Sequence, residues 1–107
     1  MRYSRNLFLS EELENKKEKI IEKLEKNKFQ GNLHLLILPD NGKNQLEIIH
    51  SALLLQPDYP SEQLFVAGLA KSYDDALELV EKITREVYDR TKDADIRNYI
   101  LRREQEE

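Results

Sequence analysis

Leu33-His34-Leu35-Leu36-Ile37-Leu38 carries five aliphatic side chains and one imidazole, and it stops at Pro39. An apolar run this short, closed by a residue with no amide hydrogen, reads as a strand. It commits the chain to a sheet, and a sheet needs something to cover it. The cover is encoded later in the chain. Ala76, Val80, Ile83 and Val87 recur at i, i+4, i+7 and i+11, with Leu77 and Leu79 beside them. This is the strongest amphipathic helix in the sequence. Ser72 and Asp75 form a pair of the capping-box type at its start, and Asp74 adds negative charge to its first turn. The spacing predicts a helix over 73–90, lying across the inner face of the sheet.

The remaining elements follow from local chemistry. Asp40-Asn41-Gly42-Lys43-Asn44 is turn chemistry centred on Asn-Gly. Residues 45–56 fit two readings. As a strand over about 45–50 they continue a hairpin from 33–38, with Leu46, Ile48 and His50 on one face, and the rest bends towards Pro57. As a helix capped by Asn44, with Glu47 completing the box, they join two parallel strands by a crossover. The hairpin is the preferred reading. Residues 63–70 read as a third strand, in which Gly68 marks a bulge or a close backbone approach.

Residues 1–9 read as an irregular or extended lead-in whose Leu7, Phe8 and Leu9 pack somewhere. Ser10 is a good N-cap for a helix over about 11–29, with Leu13, Ile20, Ile21 and Leu24 as a narrow stripe. Favourable i,i+4 pairs such as Glu12–Lys16 and Glu22–Lys26 support it, and Gly31 supplies a left-handed cap. A short last helix, about 94–103, presents Ile96, Tyr99 and Ile100 inward, and the polar residues from Arg102 onwards fray. The expected fold class is α+β. An N-terminal helix precedes a small three-stranded, mostly antiparallel sheet, a long amphipathic helix packs on it, and a short C-terminal helix closes a single domain over 1–107.

Composition narrows the function classes. The 107 residues include no cysteine, which excludes a disulfide scaffold, a thiolate zinc site and a cysteine nucleophile. No apolar run approaches a membrane span or the core of a signal peptide, so a soluble cytoplasmic protein is expected, away from membranes. Residues 1–31 hold eight basic and six acidic groups, 32–72 two and four, and 73–107 seven and eleven. None of these is a strong basic field, so nucleic-acid binding is not the expected role.

Four constellations invite a chemical reading. Gly68-Leu69-Ala70-Lys71-Ser72 ends like a phosphate-binding loop, but it lacks the glycine before lysine, and Asp74 and Asp75 stand where phosphate would sit. His34 and His50 fall on adjacent strands in the hairpin reading, which starts a metal site or places a base but supplies no third ligand with motif spacing. Asp74, Asp75, Glu78 and Glu81 read as a solvated face that complements the helix dipole. The lysines between Lys16 and Lys28 interleave with glutamates and read as an ion-paired face. No catalytic, cofactor-binding or metal residue and no cofactor is therefore assigned. The residues singled out for an interface are Ile20, Leu24, Leu53, Leu54, Leu55 and Tyr59, because the Leu-rich 52–56 segment offers more apolar surface than one small sheet hides.

The stretches NQLEIIHSALLLQ (44–56), FVAGLAKSYDDALELVEKITREVY (65–88) and ADIRNYIL (94–101) resemble a group of small uncharacterised bacterial proteins. These share a strand, a Gly-Leu/Ile-Ala-Lys turn and an Ala-Leu-Glu-Leu-Val helix. The group has no assigned activity, so the resemblance implies no site residue. The expected function is a non-enzymatic protein-interaction module, with a protein partner or a second copy in a homodimer. The alternatives are a small ligand-binding or enzymatic domain using His50 and the Gly68–Ser72 turn, and a nucleic-acid or mobile-element accessory protein acting through the lysine-rich helix.

Overall fold

The apolar run of 33–38 becomes an interior strand of a four-stranded mixed sheet in the computed structural model, which describes residues 1–26, 31–40 and 45–105. The elements are β1 (Arg2–Leu9), a 3₁₀ turn (Glu11–Leu13), α1 (Lys17–Glu25), β2 (His34–Ile37), β3 (Glu47–His50), two further 3₁₀ turns (Ser51–Leu55 and Ser61–Gln63), β4 (Phe65–Ala70), α2 (Tyr73–Thr91) and α3 (Ile96–Glu104). The strand order is β1-β4-β2-β3. β2 is antiparallel to both its neighbours, while β1 runs parallel to β4.

Both faces of the sheet are covered, and this explains the unbroken apolar character of β2. Leu36, Leu38, Ala67 and Ala70 pack under α2 and α3 with Ala76, Leu79, Ile83, Val87, Ile96, Tyr99 and Ile100. Leu33, Leu35, Ile37, Val66 and Leu69 form a second core on the opposite face with Leu13, Ile20, Leu24 and Leu54. The strand period of two assigns successive residues of β2 to alternate cores. In β4 that period slips. Leu36 pairs with Gly68 and Ile37 with Val66, so Ala67 is an extra residue and β4 bulges there.

Four sequence expectations are corrected. The lead-in is strand β1, so the sheet has four strands and a parallel pair in place of three mostly antiparallel ones. Ser10 does not cap a helix. It is buried, its amide donates to the Leu69 carbonyl (3.0 Å), and its hydroxyl accepts from the Lys71 amide (3.3 Å). With Ser10 tied to β4, the chain makes one 3₁₀ turn anchored by buried Leu13, and α1 starts only at Lys17. Glu12 pairs with Lys71 (3.0 Å) rather than with Lys16. Arg102–Glu104 continue α3 rather than fray, because Glu104 binds β1, while residues 106 and 107 lie outside the described residues.

Several local expectations match the structure. The Glu22–Lys26 pair forms (2.8 Å). Residues 47–50 complete the hairpin with β2, and 51–55 then turn as a 3₁₀ helix. Ser72 accepts from the Asp75 amide (3.0 Å) at the start of α2, and Ile96, Tyr99 and Ile100 point inward from α3. Gly31 does have a φ of 65°, but the C-cap of α1 is Lys26, so Gly31 does not cap that helix. α1 ends at Glu25 with Lys26 as its C-cap, short of the expected 29, and the Asn41-Gly42 turn, the Asn44 cap and Lys28 lie outside the described residues.

Candidate functional site

The hairpin register places His34 directly beside His50. Their rings meet edge to face with centroids 4.8 Å apart, and Tyr73, the first residue of α2, lies 5.9 Å from His34. His34 also pairs with Ala70, so both histidines and the 68–72 turn share one end of the sheet. The hydrogen bonds then decide what the pair can do. The Ala52 amide donates to His50 Nδ1 (3.0 Å), so the neutral ring carries its proton on Nε2. While that bond holds, His50 offers Nε2–H as a donor and has no free ring lone pair for a metal. Among the described residues no group of three His, Cys, Asp or Glu side chains is placed to hold a metal. His34 Nδ1 is buried and has no hydrogen-bond partner among the described residues.

Burial, and secondarily the neighbouring His50, lowers the pKa of His34 from its ordinary 6.5. The unfolded chain then takes up a proton near 6.5, while the folded chain resists it to lower pH. Stability from this group is complete above 6.5 and is lost as the pH falls below it. The urea midpoint is expected to drop between pH 7 and 5.5, above the range where ordinary carboxylates titrate, and His34→Gln is expected to lose that part of the drop. An equal drop in both proteins would assign it elsewhere.

The turn offers no phosphate cradle. Lys71 is exposed and ion-paired to Glu12, Ser72 is occupied as the cap, and Asp74 and Asp75 lie in the first helical turn. On α1, Lys19 and Lys23 lie four residues apart on one face and Glu18, Glu22 and Glu25 share the neighbouring one, so a short lysine stripe runs beside an acidic one and is tied to it by the Glu22–Lys26 pair. Pocket geometry adds an acidic cleft lined by Glu11, Glu12, Asp75 and Glu78 between the end of β1 and one flank of α2.

The residues expected at an interface fall on both sides of the surface. Ile20, Leu24 and Leu54 are buried in the second core of their own chain, so they present no free face. Leu53 and Tyr59 are half-buried, and Leu55 is 44% exposed. The larger open apolar surface is elsewhere. Tyr73, Leu77 and Tyr88 are 54%, 46% and 56% exposed, and at 100° per residue they lie with Val80 and Thr84 along a single flank of α2. This flank is opposite the one facing the acidic cleft and β1, so it looks towards β3. The sequence signal was present: Ala76, Leu79, Ile83 and Val87 are the truly inward set, which leaves Leu77 outside it.

The two edges of the sheet differ. On β1, the Arg5 amide donates to the Glu104 carboxylate (2.6 Å) and the Ser4 hydroxyl donates to the same oxygen (2.9 Å), so α3 occupies this edge at its Arg5 position. On β3, the Ser51 amide donates to the Leu33 carbonyl (2.9 Å), which sets the phase of the ladder. Residues 47, 49 and 51 turn their backbone groups towards β2, and Ile48 and His50 turn theirs outward. No backbone partner meets those outward groups among the described residues. β3 carries no lysine or proline, the usual blocks on an edge. Among the described residues no helix is long and apolar enough to cross a membrane. No family model matches this chain, and no curated protein or solved structure is found to be similar to it.

Proposed function

We propose that this protein is a non-enzymatic interaction module that receives an extended strand at the β3 edge. The observation carrying this reading is the contrast between edges: one is engaged at Arg5 by a carboxylate from α3, and the other leaves the Ile48 and His50 backbone groups without a backbone partner among the described residues, beside an apolar helix flank. Strand addition uses such a site in two ways. The backbone groups supply affinity, and side chains on the covered face supply selectivity. Here Ile48 and the Tyr73–Leu77 flank of α2 lie on one side of the sheet and shape what can follow the edge.

Ile48→Pro tests the reading. The amide it removes points away from β2, so the hairpin keeps its hydrogen bonds and the far-ultraviolet spectrum is expected to stay unchanged. Extended peptides selected from a displayed library on the wild-type protein are expected to bind the variant at least about tenfold more weakly, the loss that one or two hydrogen bonds imply. Peptides that bind both proteins equally would overturn the assignment of the edge.

A further inference from the structure

Resting on that reading, we infer that the strand received at β3 is β3 of a second copy, paired antiparallel about a two-fold axis that runs perpendicular to the sheet at Ile49. Two four-stranded sheets then become one of eight, and no outward backbone group of β3 is left over.

The register follows from geometry and charge. A two-fold normal to the sheet keeps the α2 face of one copy level with the α2 face of the other. Residues directly opposite must then share a face, so the sum of their numbers is even. Pairing centred on residue 47 sets Glu47 against its own copy, which like charges oppose. Centring on 48 requires Leu46, which lies outside β3, and centring on 50 requires Ala52, which is already in the 3₁₀ turn. Centring on 49 uses only strand residues for its hydrogen bonds. Ile48 of each copy exchanges both backbone bonds with His50 of the other, Ile49 meets Ile49, and Glu47 faces the neutral Ser51.

The arrangement also places the exposed helix flank. Both α2 helices lie on the same side of the joined sheet, and the flanks carrying Tyr73 and Leu77 face each other across the axis. On the outer side of that flank Glu81 pairs with Arg85 (3.2 Å), and the exposed Asp74 sits in the first helical turn, where the helix dipole favours it. The two-fold pairing uses up the β3 edge of both copies, and Glu104 obstructs the β1 edge at Arg5, so assembly stops at two.

The chain has no cysteine, so one introduced thiol reports the register without interference. In a non-hydrogen-bonded antiparallel pair the Cα atoms stand about 4.5 Å apart, within disulfide range. Oxidised with diamide, Ile49→Cys is expected to form a covalent dimer at least about tenfold faster than Leu55→Cys, whose thiol is exposed but remote from the axis, because pairing raises the local thiol concentration. Adding Ile48→Pro is expected to return the rate to the Leu55→Cys level. Sedimentation of the unaltered protein is expected to show a monomer–dimer equilibrium that Ile48→Pro shifts to monomer. A wild-type monomer up to high micromolar concentration overturns the self-pairing, as does a dimer that Ile49→Cys fails to trap faster than the control. In the first case, peptides that still bind at β3 and lose affinity in Ile48→Pro would leave the edge reading standing. Peptides indifferent to Ile48→Pro would remove both.

Discussion

Gly68→Val is expected to lower the unfolding free energy by about 3 kcal/mol, in the upper part of the range for an overpacked interior site. A Cβ at this position would lie 3.0 Å from the Phe8 carbonyl oxygen and 3.4 Å from both Leu79 Cδ2 and Phe8 Cβ. The first of these is main chain of the neighbouring parallel strand and cannot rotate away. Relief would have to come from β1 peeling off β4 or from α2 lifting off the sheet. Either movement opens a core that holds Ala67, Leu79 and Ile83. Gly68→Ala separates two effects. Its single methyl meets the same carbonyl, yet alanine also restricts the unfolded chain, which is worth about 0.4–1 kcal/mol in its favour where the site tolerates it. Alanine is therefore expected to be markedly milder than valine. Urea midpoints at constant slope measure both. A valine variant within about 0.5 kcal/mol of wild type, the usual scatter of a harmless surface change, would show that β1 does not approach Gly68 as described.

What could be read from the chain in advance was local. The start of α2 follows from Ser72 and Asp75 three residues apart, and its inward face from spacings of three and four. The β2–β3 pairing follows from two short runs around a turn, and it brought His34 beside His50. Strand β1 was not legible, because a parallel partner more than sixty residues away leaves no mark on the intervening sequence. Arg2, Arg5 and Asn6 also interrupt the alternation by which a half-buried strand is recognised. Ser10 misled for a related reason. A serine before two glutamates has the chemistry of a cap, and only the tertiary contact with Leu69 and Lys71 decides that it serves as the last rung of β1. The candidate site shares this limit. Whether β3 lies at an edge depends on strand order, and strand order depends on β1 inserting beside β4 rather than beside β3. The Leu-rich 52–56 segment looked like surplus apolar surface for as long as the second core, which takes up Leu54, was out of view.

Glu104→Ala is expected to cost about 2 kcal/mol, the loss for a buried carboxylate that serves two donors. Its side chain is 7% exposed although it sits in the last turn of α3, and it accepts from the Ser4 hydroxyl and the Arg5 amide across almost the full length of the sequence. Arg2, 3.8 Å away and largely exposed, adds little to that total. Glu104→Gln keeps an oxygen for the Arg5 amide and is expected to lose only part of the stability. Ser4→Ala combined with Glu104→Ala is expected to cost less than the two separately, because they share one bond. The consequence for assembly is larger than the consequence for stability. With Glu104 in place the β1 edge is obstructed at Arg5, and pairing two β3 edges leaves no unobstructed edge to add to. Without it the β1 edge opens as well, and a molecule with two open edges can propagate. Glu104→Ala is therefore expected to form species beyond the dimer in a sedimentation experiment at concentrations where more than nine-tenths of the variant is folded, roughly the folded share that 1.4 kcal/mol of residual stability maintains. Adding Ile48→Pro, which blocks the other edge, is expected to suppress them. A Glu104→Ala variant that is less stable but never exceeds a dimer would show that something other than this carboxylate keeps β1 closed.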